Sequence, residues 1–171
     1  IIIVGGGPVG VGLALELGQR GVRCLVVERY HDLQRIPKGQ NLTQRTLEHF
    51  YFWGIADELR KARVMPPEFP SSGIIAYGNM LSEYWAAPPY REVVRPYYFQ
   101  ANDRLPQYST EAVMRKRVTQ IPNVEMLFGW SAEKLEQDAR GVRLTLAKRD
   151  GAERRDPRPC RRGDRGDRFA A

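Results

Sequence analysis

Six residues near the start of the chain, Gly5-Gly6-Gly7-Pro8-Val9-Gly10, and a carboxylate eighteen positions beyond them, Glu28, have the types and spacing to hold a phosphate-linked dinucleotide. A strand that turns into a helix within a few residues needs glycine at the bend, and a pyrophosphate needs a backbone approach that a Cβ would block. Gly5 and Gly7 fit those two roles, and Gly10 lets the helix pack closely on the sheet. At the helix start, where Pro8 and Val9 stand, backbone N–H groups and the positive end of the helix dipole hold phosphate without a lysine. Glu28 sits close to the ~20-residue separation expected of the acid that accepts hydrogen bonds from an adenosine ribose.

A lone glycine pattern is weak evidence, so the elements around it carry much of the argument. Residues 1–4 are an apolar run suited to a strand; Val9, Leu13 and Leu17 recur at helical spacing. Ala14 supplies a small side chain one turn past Gly10, and Gly21 stands where a helix-ending glycine belongs. Residues 24–27 form a second apolar run, as expected of a strand buried on both faces. Further on, residues 42–62 read as a helix with Leu47, Phe50 and Tyr51 on one face and Gly54 as its point of interruption. Proline, glycine and aromatics dominate residues 64–106, with short strands expected at 73–77 and 95–100. Ser109 is placed to cap a helix running to Gln120, with Met114, Val118 and Ile121 on one stripe. Residues 124–128 read as a strand returning to the parallel sheet. A hairpin with one wet face follows, its turn at residues 138–141 and Val142, Leu144 and Leu146 alternating with Arg143 and Thr145.

The chain has 171 residues, 42% of them hydrophobic, enough for one domain with a real core. No apolar stretch reaches the length of a membrane span, and the amino end lacks a charged region followed by a signal-like segment, so a cytoplasmic protein is expected. The chain opens on Ile1 inside an expected strand, without an initiator methionine, which suggests that its natural start lies elsewhere. Of the net charge of +7, residues from Lys148 onward contribute more than half, with nine basic and five acidic side chains. The remainder is nearly balanced and presents no basic stripe for nucleic acid; the run Arg115 to Arg117 reads as a solvated helix face. Two cysteines exclude a disulfide framework, and Cys24 reads as a small buried hydrophobe. His31 and His49 have no partner at metal spacing, so no metal is expected.

Taken together, the glycine turn, the strand end Val26-Val27-Glu28-Arg29, the run Asn41-Leu42-Thr43-Gln44-Arg45-Thr46-Leu47-Glu48, Trp53-Gly54-Ile55 and Leu105-Pro106-Gln107 are similar to the flavoprotein aromatic hydroxylases of the p-hydroxybenzoate and phenol hydroxylase type. The resemblance covers residues 1 to about 155. It implies an α/β, Rossmann-like FAD/NAD(P)-binding fold: a parallel sheet, an antiparallel hairpin crossover, an inserted substrate-side segment and an incomplete C-terminus. Residues 1–62 and 101–151 would form the FAD-binding part and residues 63–100 the insertion. It further implies FAD, with its ribose on Glu28 beside Arg29 and its pyrophosphate on the glycine turn. Arg45 and Gln107 would lie against the flavin; read without the resemblance, they are a solvated helix charge and a helix-leading polar residue. Lys38 stands in a loop where relatives often carry an arginine that helps handle the nicotinamide cofactor or flavin, and it offers a point charge rather than a planar fork. NADPH or NADH would be the reductant, and dioxygen and a small phenol-like molecule the other substrates, with no catalytic side chain required because the chemistry is the cofactor's. Trp85, Tyr97, Tyr98 and Phe99 either wall a substrate site or are ordinary core, the latter being favoured.

The end of the chain departs from that family. Asp150-Gly151 signals a turn into a third antiparallel strand, but Pro157 and Pro159 remove backbone donors, and Arg, Gly and Asp fill residues 152–171. No strand is expected there. A truncated or frame-shifted monooxygenase accounts for that composition; a disordered basic tail is the alternative. Two other functions stay open: a Rossmann-type NAD(P)-binding oxidoreductase, and an inactive fragment whose basic tail binds nucleic acid. The sequence sets neither the aromatic substrate nor an oligomeric state.

Overall fold

Apolar runs separated by glycine and proline turns set the order of elements in the computed structural model, which describes residues 1–66, 75–86 and 93–149 and two short strands beyond them. The elements are β1 (Ile2–Val4), α1 (Pro8–Gln19), β2 (Cys24–Glu28), β3 (Asn41–Leu42), α2 (Gln44–Phe52), α3 (Ala56–Lys61), β4 (Ile75–Ala76), β5 (Trp85–Ala86), β6 (Asp103–Arg104), α4 (Gln107–Val118), β7 (Val124–Phe128), β8 (Trp130–Asp138), β9 (Gly141–Lys148), β10 (Arg154–Arg155) and β11 (Cys160–Arg161). The chain divides into two compact units, residues Ile1–Leu33 with Met114–Ala171, and residues Gln34–Val113. The segment 63–100 falls inside the second.

In the first unit β1, β2 and β7 make a parallel sheet in that order, with Ile3 opposite Val26 and Val26 opposite Met126. All five residues of β2 are buried, as a central parallel strand requires. The burial of α1 differs from the expected stripe. Val9 is 87% exposed and Leu13 46%, while Val11, Ala14, Leu15 and Gly18 are buried. The reason is steric: Gly10, Ala14 and Gly18 recur every four residues, and this small face is the one that approaches the sheet. A Cβ on Gly18 would stand 2.5 Å from Val124 Cγ2. Close helix–sheet packing selects small residues, and the large apolar ones flank the contact or turn away from it. Gly21, at φ +78°, ends α1 as expected: its N–H bonds to Gly18 O and that of Val22 to Leu17 O, the paired bonds of a Schellman ending.

The hairpin β8–β9 forms as expected, its turn closed by Asp138 Oδ1, which accepts from the N–H groups of Arg140 and Gly141. Leu144 and Leu146 of β9 join Leu25, Val27 and Trp130 in one buried cluster. Met114, Val118 and Ile121 are buried on the expected stripe. The expectation that no third strand follows is corrected. Arg154 pairs with Ala147 and Arg155 with Leu146, and Cys160 pairs with Val142 and Arg161 with Gly141, all antiparallel to β9. A strand edge offers N–H and C=O groups to any backbone regardless of side chain, so arginine-rich residues can pair with it. The two registers differ by one residue, and Pro157 and Pro159, which have no N–H, fall between them. The rest of segment 152–171 lies outside the described residues.

In the second unit the single helix expected over 42–62 is two. Leu42 belongs to β3, Thr43 caps α2 by accepting the Thr46 N–H on its Oγ1, and Gly54 at φ +74° turns the chain into α3. Leu47 and Phe50 are buried as expected, but Tyr51 is exposed. Residues 95–97 form a 3₁₀ turn, not a strand, because Pro96 fixes a helical φ and has no N–H to donate to a ladder. Of the strand expected at 73–77, Ile75–Ala76 forms, paired with Trp85–Ala86, and Tyr77 lies outside it; positions 73 and 74 lie outside the described residues. α4 begins at Gln107, so Ser109 sits in its first turn rather than at the cap. No helix among the described residues is long and apolar enough to cross a membrane.

Candidate dinucleotide site

The three glycine roles are distinct in the structure. Gly5 has φ +104°, a conformation that L side chains rarely adopt, and its N–H bonds to Val27 O at 2.8 Å, tying the bend to the end of β2. Gly7 caps α1 in an extended conformation, and a Cβ built on it meets nothing within 4 Å. A Cβ on Gly10 would stand 1.9 Å from Gly5 O, so that position admits no side chain. Pro8 occupies the first helical position, where no N–H is needed. The first helical hydrogen bond runs from Val11 N–H to Gly7 O, so the N–H groups of Val9 and Gly10 precede it, and no acidic residue stands in the first turn.

Glu28, buried to 9% exposure, reaches this bend. Its Oε2 accepts the Gly6 N–H at 2.7 Å and its Oε1 the Tyr30 N–H at 2.8 Å. Both oxygens keep further lone pairs, so the carboxylate remains an acceptor for sugar hydroxyls. Gly6, to which the sequence reading gave no role, is what permits the approach, because a Cβ on it would stand 2.7 Å from Glu28 Cβ. Arg29 is exposed, with its Cζ 4.9 Å from the centroid of the Tyr30 ring; Arg149 Cζ is 4.2 Å from the same centroid. Arg115 corrects an expectation. It is not a solvated charge: Nη1 donates to His31 O at 3.2 Å, Nη2 to Gly6 O at 3.4 Å, and its Cζ lies 4.7 Å from the Phe128 ring centroid. A charge run gave no hint of this, because its partners are main-chain oxygens distant in sequence. Cys24 is buried as expected, and burial pushes its thiol pKa up.

Lys38, Arg45 and Gln107 belong to the second unit. Lys38 is exposed in the loop ahead of β3. The guanidinium side chain of Arg45 is 69% exposed, and its Nη1 donates to Glu48 Oε2 at 2.8 Å. Glu48 is buried on α2, and its Oε1 also accepts the Phe99 N–H at 3.2 Å. The sequence reading includes this carboxylate in the Asn41–Glu48 run but gives it no role; the signal for its pairing is the three-residue spacing from Arg45 on one helix face. Gln107 N–H bonds to Gly39 O at 3.0 Å, and its side-chain Nε2 donates to Glu111 Oε1 at 2.6 Å. Glu111 was missed, its signal being the four-residue spacing. Tyr97, Tyr98 and Phe99 are not core, contrary to the favoured reading, since all three are exposed; the Trp85 side chain lies outside the described residues. The Phe99 ring meets those of Tyr51 and Phe52 edge-on, with centroids at 5.2 and 5.9 Å.

A parallel βαβ unit whose glycine turn and β2 carboxylate meet at one bend defines a dinucleotide-binding protein. Comparison with known proteins then narrows the class. Residues 1–156 match the family model described as FAD binding domain, and the chain belongs to that family. It is 26% identical over 154 residues to a para-nitrophenol 4-monooxygenase of Pseudomonas sp. (strain WBC-3), covering 90% of this chain and 37% of that one. It is 31% identical over 162 residues to a 3-(3-hydroxy-phenyl)propionate/3-hydroxycinnamic acid hydroxylase of Mycobacterium sp. (strain JLS), covering 94% of this chain and 26% of the relative. Among solved structures, the flavin-dependent monooxygenase PieE in complex with FAD and substrate is similar, with a TM-score of 0.76, 28% identity, and coverage of 90% of this chain and 27% of that one. The chain therefore spans about a quarter to a third of the length of the relatives it matches.

Proposed function

We propose that this chain is the FAD-binding portion of a flavin-dependent monooxygenase that hydroxylates a small phenolic or other aromatic substrate with NADPH or NADH and dioxygen. The observation that carries the reading is the Glu28 carboxylate 2.7 Å from the Gly6 N–H, beside a Gly7 whose Cβ position is open. The residues present fit FAD. Gly5, Gly7, Pro8, Val9 and Gly10 would bind the pyrophosphate, Glu28 with Arg29 the adenosine ribose, and Arg45 and Gln107 the flavin, with Lys38 near it as a point charge. When bound, FAD supplies the redox chemistry, taking electrons from a nicotinamide and activating dioxygen toward the ring. The chain's own part is to hold the cofactor in one orientation. The names of the relatives, a monooxygenase of para-nitrophenol and a hydroxylase of 3-(3-hydroxy-phenyl)propionate and 3-hydroxycinnamic acid, support an aromatic substrate. Because the proposed reaction consumes reduced nicotinamide, a cytoplasmic setting belongs to the same reading.

Titration of the purified 171-residue chain with FAD and, separately, with NADH tests this reading. FAD is expected to bind at least about tenfold more tightly than NADH, a difference of ~1.4 kcal/mol, with a perturbed visible flavin spectrum. Colourless protein that binds NADH and not FAD would overturn it in favour of an NAD-dependent oxidoreductase.

A further inference from the structure

Gln107 presents an amide whose two ends do opposite things, and the structure shows which end is committed. Nε2 donates to Glu111 Oε1 at 2.6 Å, a short bond to a carboxylate that is 5% exposed. A carboxylate only accepts, so its partner must be the NH2 end of the amide. The other end, Oε1, has no hydrogen-bond partner among the described residues, and it lies toward Gly39, 3.9 Å from where a Cβ on that glycine would be. The backbone is fixed as well: Leu105 N–H bonds to Gln40 O and Gln107 N–H to Gly39 O, so the start of α4 is anchored to the loop before β3. The four-residue spacing places Glu111 directly beneath Gln107 on one helix face. Loop and helix hold the main chain, and the Glu111 carboxylate meets the NH2 end of the side chain.

We propose that Glu111 is a positioning residue that fixes the Gln107 amide with its NH2 turned inward, so that Gln107 meets the cofactor as a hydrogen-bond acceptor. Its partner on the flavin must then be a donor, either the ring N3–H or a hydroxyl of the ribityl chain. The inference rests on the reading of Gln107 as a flavin contact. An amide free to rotate would offer either end, and half of its orientations would set two donors face to face. Glu111 removes that ambiguity before the cofactor arrives.

Exchanging the two residues separates this role from a merely structural one. FAD affinity, followed by flavin absorbance, is measured for the full chain, for Gln107→Glu, for Glu111→Gln and for the double exchange, with thermal melts alongside. Gln107→Glu sets two carboxylates together and is expected to weaken FAD binding by about tenfold or more. In the double exchange the amide at position 111 donates to the carboxylate at position 107, whose other oxygen replaces the original acceptor. Affinity and the visible spectrum are expected to return to within about threefold of the parent. A double exchange that binds FAD no better than Gln107→Glu alone would show that Gln107 acts as a donor and overturn the proposal, leaving the FAD reading intact. Failure of the parent chain to bind FAD would overturn both. FAD methylated at N3 identifies the donor: if Gln107→Ala no longer lowers affinity for that analogue, the partner is the ring N–H, and if the loss persists it is a ribityl hydroxyl.

Discussion

Gly7→Ala is expected to leave the melting temperature of the chain within about a degree of the parent while lowering FAD affinity by at least about tenfold. The methyl group has room in the protein, since nothing stands within 4 Å of its position. Gly7 is also extended, a conformation alanine adopts freely, with φ −76° and ψ −175°. What the methyl takes is the space through which a pyrophosphate reaches the N–H groups at the start of α1. Gly10→Ala is the opposite case. Its methyl would stand 1.9 Å from the Gly5 carbonyl oxygen, so the turn and the helix must separate. Overpacking of this kind costs ~1–3 kcal/mol or more, about 2–4 °C in melting temperature for each kcal/mol in a chain of this size. Affinity would fall with it. Thermal melts paired with FAD titrations check both variants; a Gly7→Ala protein that binds FAD like the parent would remove the pyrophosphate from this turn.

Replacement of Glu28 by glutamine is expected to be nearly as damaging as replacement by alanine. The carboxylate accepts from two backbone donors, Gly6 N–H on one oxygen and Tyr30 N–H on the other. An amide can serve only one of them and sets its own NH2 against the second. Leaving a buried donor unpaired costs ~1–3 kcal/mol. FAD affinity should drop by about ten- to a hundredfold in both variants, because the ribose also loses its charged acceptor. Differential scanning fluorimetry and FAD titration measure the two effects. Glutamine and parent proteins of equal stability and affinity would show that Glu28 is a bystander.

The parts of this molecule legible in the sequence are those whose cause is local. Gly5 and Gly10 are required by a turn only a few residues long, so their spacing carries the bend; five consecutive buried residues in β2 and the alternation in β9 follow from strand geometry alone. Gly54 announced a break, but the sequence did not say that it would make two helices, because tertiary contacts decide whether a glycine bends or ends a helix. The face of α1 was misread for a different reason. Hydropathy points to Val9 and Leu13, whereas the backbone distance between helix and sheet is set by Gly10, Ala14 and Gly18. At the candidate site, Glu28 was legible from its distance to the turn. Gly6, Glu48, Glu111 and Arg115 were not, because each acts on a partner that only the folded chain brings near.

The most direct test of the central claim follows the backbone amides of the uniformly 15N-labelled chain as FAD is added. If the adenosine and pyrophosphate lie on the first bend, the largest shifts belong to the N–H groups of Gly6, Gly7, Val9, Gly10 and Tyr30, where donors now engage phosphate or share the Glu28 carboxylate with a sugar. Binding that leaves those resonances in place and moves others instead would contradict the account.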